Sequence, residues 1–489
     1  MLRVSVSLMV ATMATVAFGQ EQGWQIDVVA VEGTKPEVRL DSQGRPHMAY
    51  MIEAFGGGVF HGLRDDDGTW EIDTVSQGYF YAPLDMTIDD DDLIHIAYHD
   101  HDNEDIVYAV GSQEDWSLEV IVHEGHDGWD GRIAVDPAGD VHIVSIDPSQ
   151  FGSSSGIEWA LRRDGNWQVE EIGSGRIPYE FGISMALSDD GRLHVVYHDG
   201  ESDLNTTGPG ADLFYAVLSD GDWQIEPVDV DGDVGKFPSI ALDSADRPHI
   251  TYLDRTEQQT GRVKYAFHDG EEWNFDVVDD LSDLQIAFVG ARRTTAVALD
   301  EGDNVYVAYA DRSVLRFATR MEDSWGIEDV TGPIGSNQIL AQFVSLEVED
   351  NGRPHMAFYG IDNSGSSSTG TVYYAVGSEV APTAIAEEGG ATPVAFALGH
   401  NYPNPFNPDT VIPYSLSRES GVEIAVYDLA GWVRSRRCCY CGSENAGCLA
   451  GSKGVMSTVE AAPSTMSSAM ASPVAGPFNI PQTLCPVAT

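Results

Sequence analysis

The sequence predicts an all-β protein built on a seven-bladed β-propeller, and three observations carry that prediction. A four-strand template recurs seven times at intervals of about 50 residues. Its second strand is centred on one aligned ring: His47, His95, His142, His194, His249, Tyr306 and His355. Its fourth strand opens on Trp70, Trp116, Trp167, Trp223, Trp273 and Trp325, and an orphan strand of the same kind, Trp24-Gln-Ile-Asp-Val-Val29, precedes the first repeat.

The template is plainest at Phe237–Asp243, Asp246–Tyr252, Val263–Phe267 and Trp273–Val278. Apolar and polar residues alternate within each run, as half-buried strands require, and four short strands per period point to propeller blades rather than to a helical solenoid. Asp67-Gly68, Asp164-Gly165, Asp220-Gly221 and Asp269-Gly270 sit between strands three and four, where a tight hairpin needs positive φ. The seventh repeat stops at Val372–Val376 with no tryptophan strand after it. The N-terminal strand is therefore expected to complete the last blade, closing the ring and leaving no long sheet edge.

The run Asp220-Gly-Asp-Trp223 resembles a partial Asp-box, the turn motif of sialidase-type propellers, although most copies lack the leading serine of that family. In such families the motif is a folding device on the face away from the active site. The resemblance thus implies the fold and assigns no activity.

The ends read differently from the middle. Met1–Gly19 has a charged start, a short apolar stretch and a small-residue cleavage site, the pattern of a signal peptide. The propeller is expected over 20–378 and a linker over 379–393. Leu398-Gly-His-Asn-Tyr-Pro-Asn-Pro-Phe-Asn-Pro408, with strands after it at Val411–Leu416 and Val422–Leu429, closely resembles the FlgD-like immunoglobulin domain that serves as a C-terminal sorting signal in type IX secretion. That resemblance implies a partial β-sandwich over 394–430, bacterial export, and contact with the secretion machinery. From 431 to 489 strand alternation and acidic residues fade, and all five cysteines appear. A reading-frame shift in the source gene would account for these changes together, and this stretch is expected to be disordered.

With 78 acidic against 26 basic residues, the formal charge of −52 opposes binding to nucleic acid or anionic membranes. No apolar run approaches the roughly 20 residues that span a bilayer. The expected location is secreted or outer-surface, as a monomer. No cofactor is required by any motif, and calcium is the one ion the composition invites.

Candidate binding residues cluster at one end of the ring, where the loops into each blade and the loops between strands two and three vary most in length. An aspartate recurs five residues after the aligned ring at Asp100, Asp147, Asp199, Asp254 and Asp311, with His99 and His198 beside two of them. Each aspartate either caps its own loop or joins a ring of carboxylates for cations or sugar hydroxyls. The loops into the blades add Lys35, Arg132, Arg176, Lys236, Arg292 and Arg293, and the aromatics Tyr79, Tyr81, Trp129, Tyr179 and Phe237. Aromatic faces stack on sugars and arginine forks take carboxylates, so these residues suit an acidic glycan, unless the cations serve only to pair neighbouring aspartates. Asp229, Asp231 and Asp233 alternate like the start of a calcium loop without completing an EF-hand. The aligned histidines read as inter-blade contacts. The leading functional reading is a secreted binding propeller for polysaccharide or cell-surface glycan. Its alternatives are a sialidase-like glycoside hydrolase or polysaccharide lyase, and a scaffold for a surface protein.

Overall fold

The computed structural model describes residues 23–378 except 54–56, 81, 102–104, 113–114, 122–128, 148–154, 176–181, 201–211, 220, 257–260, 282–293, 312–313, 322–323, 332–341 and 363–368. In the tail it describes 397–398, 412–415, 421–427, 433–440 and 453–456. Every regular element among the described residues is a strand.

Seven four-stranded antiparallel sheets form blades 1 to 6 at 33–77, 85–121, 129–175, 183–229, 236–281 and 295–329, and blade 7 at 342–376 together with Gln25–Val31. The first strand of each blade packs against the first strands of both neighbours around the whole ring, so these strands line the axis. The N-terminal strand closes blade 7 as expected, pairing Gln25 with Val376, Asp27 with Tyr374 and Ala30 with Val372, with a bulge between Val28 and Ala30.

The core lies in the seams. Seven buried apolar clusters each draw side chains from two successive blades, because each sheet has an apolar face that only its neighbour can cover. In the seam between blades 6 and 7, Trp24 packs edge-on to Phe317 at 5.3 Å beside Tyr306, Met356 and Phe358.

A polar relay stitches the lower side of the ring. An acid six residues before the aligned histidine caps the first hairpin; the carboxylate of Asp41, for example, accepts the backbone N–H of Gln43 (3.0 Å) and Arg45 (2.8 Å). The same carboxylates reach histidine Nε2, as in Asp89–His95 (3.1 Å) and Glu349–His355 (2.7 Å). Nδ1 of His95, His194 and His355 meets the hydroxyl of Tyr108 (2.7 Å), Tyr215 (2.6 Å) and Tyr374 (2.6 Å) on strand three. The next blade's tryptophan then stands edge-on to that tyrosine, with Trp167 at 5.6 Å from Tyr108 and Trp273 at 5.5 Å from Tyr215. Its indole N–H donates to an acid three residues beyond the preceding tryptophan: Trp116 to Asp73 (2.5 Å), Trp167 to Glu119 (3.0 Å) and Trp273 to Glu226 (2.9 Å). The histidines expected to bridge neighbouring blades are instead held within their own blade, by the turn acid and the strand-three tyrosine, and it is that tyrosine which meets the next blade. Burial holds them neutral, with His47 and His194 both lowered to about 4, His47 also by the neighbouring His61 and His194 by Arg192.

The first hairpins turn on a residue with positive φ, glycine at Gly44, Gly139, Gly191 and Gly352 but aspartate at Asp92, Asp246 and Asp303. The aspartates hold the strained backbone where their carboxylates have work across the seam. Asp303 accepts both the N–H and the hydroxyl of Ser244 at 2.7 Å, and Asp92 does the same for Ser42 at 2.8 Å.

Residues 383–489 form a separate unit. Ile412–Ser415 pairs with Ala397–Leu398 and with Lys453–Met456, and Gly421–Tyr427 pairs with Val433–Tyr440. Strands therefore fall on two segments that the sorting-domain resemblance marks, and also on two within the stretch that the sequence reads as lacking alternation.

Candidate functional site

The chain runs up strand two and down strand three, so the loops between these strands share the upper face with the loops leading into each blade. The recurrent aspartates stand there, at the ends of the second strands. Asp100 faces Asp105 across the ladder and Asp199 faces Asp212; burial, with the like charge opposite, raises the carboxyls of Asp105 and Asp212. Asp254 faces Arg262 at 3.8 Å, Asp311 takes Arg316 at 2.8 Å, and Asp147 faces Gly156. None of the five lines the central cavity. They form separate stations on separate blades.

His99 is buried, with its ring 5.3 Å from Trp129 and 6.4 Å from His101, and His101 lies 5.4 Å from the exposed Tyr79. Tyr79, His101, His99 and Trp129 therefore make one aromatic line across the upper ends of blades 1 to 3. His198 has a different place: it is fully buried, donates from Nδ1 to the Val234 carbonyl at 2.9 Å, and is held neutral by burial and by Lys236, with its pKa lowered to about 3. Arg176, Arg292, Arg293, Tyr81 and Tyr179 lie outside the described residues.

Two of the three alternating carboxylates of 229–233 are engaged by cations of the protein. Asp229 accepts the Tyr252 hydroxyl at 2.6 Å and an ion pair from Lys264, and Asp233 pairs with the buried Lys236. Asp231 donates its backbone N–H to Asp229 at 3.2 Å. Among the described residues no three acidic, histidine or cysteine side chains converge as a metal centre.

Arg132 turns inward rather than to the rim. Its guanidinium lies 3.7 Å from Asp130 and 3.9 Å from Glu37, at one side of a cavity of about 290 Å³ on the axis. Arg39 occupies the same wall, 3.1 Å from Asp85, 3.4 Å from Glu347 and 3.6 Å from Glu37. The opposite wall is small and uncharged, with Ser184, Ser239 and Thr295 beside Met185, Ala241 and Ala298. The axis is therefore two-sided in chemistry. Burial, with Glu37 and Asp85 nearby, pushes the Glu347 carboxyl above the usual range against the pull of Arg39. Such a wall accepts hydroxyls at its carboxylates and offers two guanidiniums to an anion.

No sequence motif singles out Glu37, Arg39, Asp85, Asp130 or Glu347. One signal does exist for part of the set. Glu37, Asp85 and Arg132 share a repeat position, two before the residue that pairs with the aligned histidine, where blades 4, 5 and 7 carry Ser184, Ser239 and Ser345. The serines there accept a backbone N–H from the next blade, as Ser345 does from Val38 and Ser239 from Val297. Asp85 keeps that role, accepting the Ile133 N–H at 3.1 Å, so its charge is added to the linker rather than replacing it.

A scan of protein-family models finds no match to the chain, and a search of curated proteins finds none. Among solved structures the chain is similar to an ulvan lyase of polysaccharide lyase family PL25, at 13% identity and a TM-score of 0.47 over 72% of this chain and 96% of that one. It is also similar to the polysaccharide lyase Uly1, at 11% identity and a TM-score of 0.43 over 70% and 89%. A third is the GH93 α-L-arabinofuranosidase of Fusarium graminearum, at 12% and 0.42 over 60% and 91%. These identities carry neither a residue nor an activity across.

Proposed function

We propose that this protein is an exported glycan-binding propeller whose ligand lies on the upper face, with an acidic polysaccharide as the preferred class. The aromatic line from Tyr79 through His101 and His99 to Trp129 carries the reading. His99 is buried beneath the line, so the ligand stacks on the exposed Tyr79 and His101 and the half-buried Trp129, and from Trp129 it reaches Asp130 and Arg132 at the charged wall of the axial cavity. Aromatic faces suit the apolar faces of sugar rings, while Arg132 and Arg39 suit a carboxylate substituent.

Glu347 favours a second reading, a glycoside hydrolase or polysaccharide lyase. Glu347 stands beside Arg39 in the same wall as Glu37 and Asp85, and several carboxyls converging on one cavity are what acid–base cleavage of a glycan requires. A glycan-array screen of the secreted chain, followed by incubation of each hit, separates the readings. Saturable binding without product supports the lectin-like function, and product release makes the protein an enzyme. Silence across acidic and neutral glycans removes both and leaves a protein-binding scaffold. A chelator arm tests calcium, which at 229–233 would have to displace Lys264 and Lys236. Export through the leader and sorting by 394–430 belong to the same proposal, tested by locating a leaderless chain and a chain cut at 394.

A further inference from the structure

The repeat supplies an internal control on the lower side of the ring. Strand three carries an arginine opposite the tryptophan of strand four in blades 1, 3 and 6: Arg64 opposite Trp70, Arg162 opposite Trp167, Arg320 opposite Trp325. Two of them fork onto the acid of the preceding blade. Arg64 donates to Asp27 at 3.1 and 2.9 Å, and Arg162 donates to Glu119 at 2.9 and 2.7 Å. Arg320 does not. The corresponding acid, Asp276, takes only the Trp325 indole N–H at 3.1 Å and the Val277 N–H at 2.9 Å.

Arg320 lies instead over the rings of Phe267 (4.5 Å) and Tyr265 (4.8 Å), with a single hydrogen bond, to the Tyr265 hydroxyl at 3.1 Å. Among the described residues it has no carboxylate within salt-bridge distance, in a chain with threefold more acids than bases. The cause is legible in the register. Phe267 stands opposite His249 where Val376 and Val110 stand opposite His355 and His95, the blades on which Arg64 and Arg162 rest. A large aromatic face draws the guanidinium outward by a cation–π contact, where valine leaves it free to reach the acid.

The diverted guanidinium opens on a groove of about 330 Å³ between blades 5 and 6, lined also by Arg247, Asp303, Asn304 and Met321. Arg247 is held by Asp243, which leaves Arg320 as the cation presented to a ligand. We propose that this groove is a second ligand site, separate from the upper face, for a uronate: a monocarboxylate sugar. The planar fork takes the carboxylate, Asp303 accepts hydroxyls on oxygens that each hold one bond from Ser244, and the Phe267 edge and Met321 meet the apolar ring face. Asp243 and Asp303 in the wall oppose a dianion, so sulfate and phosphate bind more weakly than a carboxylate.

Calorimetric titration of the full chain with D-glucuronate, D-glucose and sulfate tests the site, with circular dichroism confirming that each variant folds. Glucuronate should bind saturably, glucose and sulfate at least tenfold more weakly, and Arg320→Gln should remove one binding equivalent. Phe267→Val should remove the same equivalent while keeping every cation, because Arg320 then swings onto Asp276 as Arg64 and Arg162 do on their acids. An unchanged number of glucuronate equivalents in both variants overturns the site, whereas loss of one equivalent with the remainder intact leaves the upper-face reading to be judged by its own test. Equal binding of glucose, or tighter binding of sulfate, overturns the uronate assignment. If Arg320→Gln fails to fold, an unchanged glucuronate stoichiometry in Phe267→Val is sufficient to refute the proposal.

Discussion

If Gln25–Val31 closes the ring, Trp24 should matter as much as a tryptophan inside the continuous chain. Trp24 is 5% exposed and sits in the seam between blades 6 and 7, in one buried cluster with Phe317, Phe358, Tyr373 and Met356. Replacing it with alanine removes a buried indole and leaves a cavity, at a cost of about 3–5 kcal/mol. Trp325 occupies the equivalent place in the seam between blades 5 and 6 and is 8% exposed, so Trp325→Ala should cost the same within about 1 kcal/mol. Deleting residues 20–31 should cost more than either, since it also bares the ladder edge of Thr371–Val376. Urea unfolding followed by far-UV circular dichroism measures all three, with the slope against urea checked for a change in cooperativity. A Trp24→Ala protein within about 1 kcal/mol of wild type, with an unchanged slope, while Trp325→Ala loses several, would refute the clasp.

The buried histidines predict a pH dependence. His194 has a folded pKa of about 4, below its unfolded value near 6.5, so its contribution is present above pH 6.5 and is lost as pH falls toward 4, at up to about 1.4 kcal/mol per pH unit. The difference in unfolding free energy between wild type and His194→Asn should narrow over that window; a constant difference would show that His194 is not held neutral. Tyr79→Ala should weaken glycan binding on the order of tenfold, yet change stability by no more than about 0.5 kcal/mol, because Tyr79 is exposed. Parallel array titrations and melting curves check both halves. Arg39→Met leaves Glu37, Asp85 and Glu347 facing one another, so stability at pH 7 should fall by about 3–5 kcal/mol and part of that loss should return by pH 5 as a carboxyl protonates. An equal loss at both pH values would mean that Arg39 acts through packing alone.

The acidic excess takes on a different meaning in the folded ring. Many of the carboxylates are structural partners at a fixed place in the repeat: the turn acids Asp41, Asp89, Asp136, Asp243, Asp300 and Glu349, a position that Ser188 fills in blade 4, and the indole acceptors Asp73, Glu119, Glu170, Glu226 and Asp276. Both series stand at constant distances from residues that align on sight, six before the histidine and three after the tryptophan. They were legible as spacing, and the reason for the spacing appears only when one blade is laid against the next.

By itself the sequence determined the blade count, the strand order within each blade, the hairpins at Asp-Gly and the closing role of the strand after Trp24. Each of these is local or repeated: alternation sets which face of a strand is buried, a positive-φ turn sets the hairpin, and seven copies of one pattern reinforce one another. Ring closure decided the rest. Arg39 meets Glu347 because blade 7 returns to blade 1, His198 is buried because Val234 covers it, and Arg320 turns outward because Phe267 on another blade replaces a valine. A contact between distant segments depends on the size of a side chain that only the closed ring brings alongside, and no periodicity along the chain records that distance.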